Sequence, residues 1–141
     1  MTRDEIVRFF DVRQTAWRAR NADTLAAGHS VAGLVVSPMF GALNGREEIA
    51  DSYRKLFVSF PDWLLKTEEV IVDGSRVAHH FVATATHVGD FMGLPGTNRH
   101  GRIEGVMLCT MEDGEIVRER RLYDFSALLI QVGVLRSKPN F

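Results

Sequence analysis

The sequence predicts an α+β domain, with helices gathered in the N-terminal part and a strongly curved antiparallel sheet wrapped around them. Two observations predict it. Apolar residues recur at helical spacing up to Phe60, and from Trp63 the period changes to two and holds to Asp124. Two Asp-Gly pairs, Asp73-Gly74 and Asp113-Gly114, divide that second part into hairpins. A twisted sheet around helices makes a cone with an interior pocket, which is where a ligand would be sought.

Each element has its own signal. Thr2 and Glu5 form a capping box, and Ile6, Phe9, Phe10, Arg13 and Trp17 then share one face of a helix running to about Arg20. Asn21 or Asp23 can cap a short second helix, Thr24 to Gly28, before an apolar strand from Leu34 to Val36 that ends at Pro38. Gly41 to Gly45 is rich in turn residues. A third helix, Arg46 to Phe60, places Ile49, Tyr53, Leu56 and Phe57 on one face and stops at Pro61. Strands follow around Leu65 to Val72, at Val77 to Val88, Arg102 to Met111 and Ile116 to Asp124, and a short apolar helix covers Ser126 to Val132.

Composition narrows the function classes. A chain of 141 residues with 45% apolar residues suits one domain, 1–141, with one packed core. The 17 basic and 18 acidic residues nearly cancel, so nothing argues for nucleic acid or an anionic membrane surface as a partner. The single Cys109 allows no internal disulfide, no His and carboxylate set has metal-ligand spacing, and no apolar run approaches a membrane span. The N-terminus lacks the pattern of a signal peptide, and the expectation is a cytoplasmic protein.

The hairpin at Asp113-Gly114 gives a register. With a two-residue turn, Glu112 pairs with Glu115, which sets Asp124 opposite Ile103, Leu122 opposite Gly105, Arg120 opposite Met107 and Arg118 opposite Cys109. Alternation puts these on the face that carries Ile103, Met107, Cys109 and Met111, so Arg120 and Asp124 are expected inside, about 13 Å apart along the strand. The opposite face, with Glu119, Arg121, Tyr123, Val106 and Leu108, is expected to meet solvent or a second copy. On the preceding strand His79, Phe81, Ala83, Ala85 and His87 read as inward, which makes His87 the first partner for Asp124 and His79 the second. Trp63, Phe40, Tyr53 and Phe57 are candidate apolar walls, with Met107 and Leu122 on the closing hairpin. Asp124 has a second reading as the N-cap of the last helix.

The pieces RNADTL, GREEI, FPDW, THVGDFMGLPGTNRHGRIEGV, EDGEIV and YDFSALLIQVGVL cover most of the chain. They resemble the SnoaL-like polyketide cyclases, or ester cyclases, of the NTF2-like superfamily. The glycine-rich piece and the closing one, a carboxylate followed by an apolar helix with Gln-x-Gly, carry the resemblance most specifically. It implies a cone of curved sheet and three helices, a homodimer through the sheet, no cofactor or metal, and an aspartate at the end of the last strand as acid and base for aldol-type ring closure. Asp124 stands at that position. Arg120 replaces the aromatic residue common four positions earlier, and Met107 replaces a polar pocket residue.

The expected function is therefore a cofactor-independent enzyme acting on a hydrophobic, carbonyl-bearing small molecule. Asp124 would remove a proton from activated carbon while His87 or Arg120 stabilises the enolate. An epoxide hydrolase or isomerase on the same cone, and a binding module without catalysis, are the alternatives.

Overall fold

A computed structural model of the chain describes residues 1–136. Among these residues the elements run α1 (Arg3–Ala19), α2 (Ala22–Ala27), β1 (His29–Ser37), β2 (Gly41–Asn44), α3 (Arg46–Ser59), β3 (Leu64–Asp73), β4 (Arg76–Thr86), β5 (His100–Glu112), β6 (Glu115–Tyr123) and α4 (Phe125–Gln131). The local signals act as expected at the helix ends. Thr2 and Glu5 form the reciprocal capping box, Asn21 caps α2 and Asp124 caps α4. No helix of the described residues is long and apolar enough to cross a membrane.

The strands form one sheet in the order β2-β1-β6-β5-β4-β3. β3 to β6 are the expected antiparallel meander. Two features were not expected: β1 is long and runs parallel to β6, and the turn-rich stretch after it contains β2, which pairs back on β1. The sheet curls over α1 and α3, and Ile6, Phe10, Trp17, Ile49, Tyr53 and Leu56 fill the core against Val35, Leu65, Phe81, Met107 and Ile116. Helix α4 seats on β5 where Gly101 leaves room, since a Cβ there would lie 2.8 Å from Leu128. Gln131 staples it, accepting from Arg102 N at 2.7 Å and donating to Arg102 O at 2.9 Å.

The register of the closing hairpin is where the structure departs most from the sequence reading. Asp113 and Gly114 have φ of 50° and 80°, as a two-residue hairpin turn requires, and Glu112 pairs with Glu115. Two pairs later the ladder shifts: Met111 faces Ile116, but Thr110 faces Arg118. Val117 is a β-bulge, and one extra residue reverses the alternation beyond it. Met107 therefore faces Arg121, not Arg120, and Gly105 faces Tyr123, not Leu122. Ile116, Glu119 and Arg121 are buried, whereas Arg118, Arg120, Leu122 and Asp124 are exposed. The expected inward set on this strand is thus corrected to the residues one position along. A second shift on β3, at Glu68, likewise turns Val70 and Val72 toward the core and leaves Ile71 outside.

Candidate functional site

Inside the cone, helices and sheet leave a cavity of about 20 Å³, about enough for one water. Its walls are apolar: Trp17 and Leu56 from the helices, and Trp63, Leu65, Phe81, Ile103 and Met107 from the sheet side. Arg121 and Tyr123 of β6 contribute the polar wall, and Met39 and Phe40, in the turn between β1 and β2, close the remaining side. The same two residues line an open outer cleft of about 550 Å³ together with Val58, Phe91 and Met92. The Met39-Phe40 turn is thus the partition between the cleft and the interior. Ser37 holds that turn, its hydroxyl accepting from Met39 N at 3.0 Å and Phe40 N at 3.1 Å.

Arg121 is fixed from behind. Its Nε donates to Glu119 Oε2 at 2.6 Å, its Nη2 donates to the Tyr53 hydroxyl at 3.0 Å, and its guanidinium carbon lies 5.3 Å from the Tyr53 ring centroid. Glu119 is fully enclosed, and its other oxygen accepts from Cys109 Sγ at 3.5 Å. Tyr53 joins this pair to a second arginine. Arg13 Nη2 donates to the same hydroxyl at 2.9 Å, and Arg13 Nη1 donates to Leu25 O at 2.7 Å. With two donors on its oxygen, the Tyr53 hydroxyl gives its own proton to His29 Nε2, 2.9 Å away. That assigns the remaining imidazole proton to Nδ1.

Burial sets the charges of this cluster. Burial, helped by the Arg13 and Arg121 charges, holds the His29 imidazole down at about 3, so it is neutral at physiological pH. Burial is the largest single influence on the Glu119 carboxyl and would raise it, but the neighbouring positive charges, Arg121 first, and the Arg121 hydrogen bond together outweigh it and bring the group to about 2. A carboxylate so depressed is a counter-ion and a poor proton acceptor. Burial pushes the Tyr53 phenol and the Cys109 thiol upward, so both stay protonated.

The residues singled out from the sequence fall in three places. Phe40, Trp63, Phe81 and Met107 line the cavity. Tyr53 stands behind Arg121, and Phe57 stacks on Tyr53 with centroids 6.5 Å apart, one layer further from the cavity. The proposed acid/base set is dispersed. Asp124 accepts from Ala127 N at 2.9 Å as the α4 cap and is exposed, and Arg120 and Leu122 lie on the outer face. His87 is inward, as expected, but its ring packs on Phe60 and Phe91, its Nδ1 lies 3.3 Å from Thr97 Oγ1, and its Nε2 has no partner. His79, also inward, lies 2.8 Å from Thr67 Oγ1, and burial brings it to about 4.

Arg121, Glu119, His29 and Arg13 escaped the sequence reading. Arg13 had a signal, since it interrupts the apolar face of α1 and a buried arginine needs partners.

Comparison with known proteins bears on the fold and the family. No curated protein matches the sequence. AclR of Streptomyces galilaeus, a proposed hydroxylase, superposes with a TM-score of 0.82 at 22% identity over 98% of this chain and 91% of its own. IdmH of Streptomyces antibioticus, a proposed polyketide cyclase, gives 0.76 at 24% identity over 91% and 98%. An LEH-like epoxide hydrolase of M. tuberculosis gives 0.70 at 16% identity over 92% and 90%. At these identities the likeness establishes the shared NTF2-like fold. The model of the SnoaL-like polyketide cyclases matches residues 8–132, and the chain belongs to that family.

Proposed function

We propose that the protein is a small-molecule enzyme that seats one end of a hydrophobic, carbonyl-bearing substrate in the interior of the cone and closes a ring on it by aldol-type acid/base chemistry. The observation that carries this reading is Arg121. Its Nε and Nη2 are committed to Glu119 and Tyr53, whereas Nη1 has no acceptor among the described residues and belongs to a side chain on the cavity wall. Trp17 and Trp63 also line the cavity, and neither indole N–H has a protein partner. The polar wall is therefore the Arg121 guanidinium, a donor suited to a carbonyl oxygen, beside Tyr123, in walls that are otherwise apolar.

Asp124 lies three residues beyond Arg121, about 10 Å along the strand, and on its solvent side. The two do not act on one carbonyl. Arg121 anchors the deep end of the substrate, and that anchoring selects which carbon extends beyond the cavity to Asp124, a residue outside the lining, whose carboxylate removes a proton and returns it to the new alkoxide oxygen. Water activation, as an epoxide hydrolase requires, is less well served, because Glu119 is stripped of proton affinity by Arg121.

The test uses poly-β-carbonyl compounds of graded length, with products resolved by mass spectrometry and chromatography. Wild type should give cyclised products. Asp124→Ser and Asp124→Asn keep an N-cap side chain and should lose turnover. Full turnover by either variant would remove Asp124 from the mechanism. We also propose a homodimer through the outer face of the sheet, where Leu122 is 47% and Ile71 55% exposed. Light scattering should show a dimer for wild type and a monomer for Leu122→Asp.

A further inference from the structure

The charges inside the cone do not balance. Arg13 and Arg121 are both buried and both donate to the Tyr53 hydroxyl, whereas Glu119 is the one carboxylate in hydrogen-bond contact with this cluster among the described residues. Arg13 has a carbonyl partner, Leu25 O near the end of α2, which lends partial and not full negative charge. The nearest further ion pair, Arg46 with Glu115 at 2.7 Å, is neutral in itself. His29, at the centre, is uncharged. The cluster therefore carries one positive charge in excess, in a setting where the apolar walls screen it poorly.

Of the two arginines, Arg121 lines the interior cavity, whereas Arg13 lines a separate cleft beside α1. Glu119 spends one oxygen on Arg121 Nε and the other on Cys109. Nη1 of Arg121 has no acceptor among the described residues, and Arg121 is a lining residue of the cavity. Resting on the reading of the interior as the substrate site, we infer that its deep end takes an anionic oxygen group, a carboxylate in preference to a neutral carbonyl. The substrate class is then a hydrophobic carboxylic acid that also bears the reacting carbonyls. The acid is bound by Arg121 and the carbonyl chain runs outward past Met39 and Phe40. The carboxylate supplies the negative charge that the cluster lacks, through a charge-assisted contact at Nη1.

The two tryptophans of the chain, Trp17 and Trp63, both line the cavity, so intrinsic fluorescence reports on it directly. Benzoate and benzamide have nearly the same shape and differ by one charge at pH 7. Both are titrated into wild type and into Phe40→Ala, which thins the partition. Benzoate should give a saturable change with a dissociation constant about tenfold or more below that of benzamide. Arg121→Met alone would leave Glu119 buried without its partner and risks unfolding. The double variant Glu119→Gln/Arg121→Met removes both charges, and its folding is checked by circular dichroism. It should bind the two probes alike and weakly. Equal binding of both probes by wild type and Phe40→Ala, or a preference for benzamide, overturns the inference and leaves the interior site standing. No change with either probe in either protein overturns both.

Discussion

Arg13 of α1 and Arg121 of β6 share a single acceptor, the Tyr53 hydroxyl, at 2.9 and 3.0 Å. Two guanidinium groups are thus held at one point by an oxygen that has no lone pair to spare. Replacing Tyr53 by Phe keeps the ring that stacks on Phe57 and packs on Trp17 but leaves two buried charged donors short of an acceptor. The expected loss is at least about 2 kcal/mol, measured by urea denaturation. A variant as stable as wild type would mean that water replaces the hydroxyl.

Glu119 and Arg121 form an enclosed pair, and removing one partner strands the other. Glu119→Gln and Arg121→Met should each cost about 3–5 kcal/mol, and the double variant should cost less than their sum. A double-mutant cycle in urea measures the difference. Strict additivity would show that the two side chains do not depend on each other.

Acid should unfold the protein through three groups acting in the same direction. His29 and His79 fall from an ordinary 6.5 to about 3 and about 4 on folding. The unfolded chain therefore binds these protons first, and stability falls as pH drops below 6.5 toward those values. Glu119, lowered from 4.5 to about 2, contributes stability that is present above 4.5 and lost as pH falls through about 2. Each group contributes at most about 1.4 kcal/mol per pH unit within its window. Thermal melts between pH 7 and pH 4 should show a steady decline, and His29→Gln should flatten it.

Asp124 has a measurable structural role apart from any chemistry. Asp124→Ala should lose about 1 kcal/mol through the uncapped α4, whereas Asp124→Ser and Asp124→Asn should stay near wild type. Equal melting temperatures for all three would show that the bond to Ala127 adds nothing.

Elements with strong local signals were legible in the sequence. Helix α1 follows from its capping box, α3 from its apolar face, and the two hairpins from Asp-Gly. The inward face of β4 was also readable, because Phe81, Ala83 and Ala85 share one alternation while His80, Thr84 and Thr86 fall on the other. β1 was only partly visible: its parallel pairing with β6 joins residues distant in the chain, and no local pattern announces a partner. The interior of β6 was not readable either. Both of its alternations contain arginine, Arg118 and Arg120 on one and Arg121 on the other, so hydrophobicity could not choose between them. The residues that build the cluster behind the cavity come from α1, α3, β1, β5 and β6, and only the folded chain brings them together.

The bulge at Val117 gives β6 a property that no substitution can reproduce. Up to Ile116 the even-numbered residues point inward, and beyond it the odd-numbered ones do. The strand therefore carries two reading frames, and the bulge decides which of them supplies the interior. Deleting Val117 would leave a regular ladder with Thr110 still opposite Arg118 and with Glu119, Arg121 and Tyr123 still inside, whereas keeping the residue and flattening the bulge would bring Arg118, Arg120 and Leu122 in their place. A lineage could lose the codon for residue 117 and keep the paired, buried arginine, because the bulge already absorbs that residue. Among relatives with this hairpin, residue-by-residue alignment along β6 has meaning only after the frame of each chain is known.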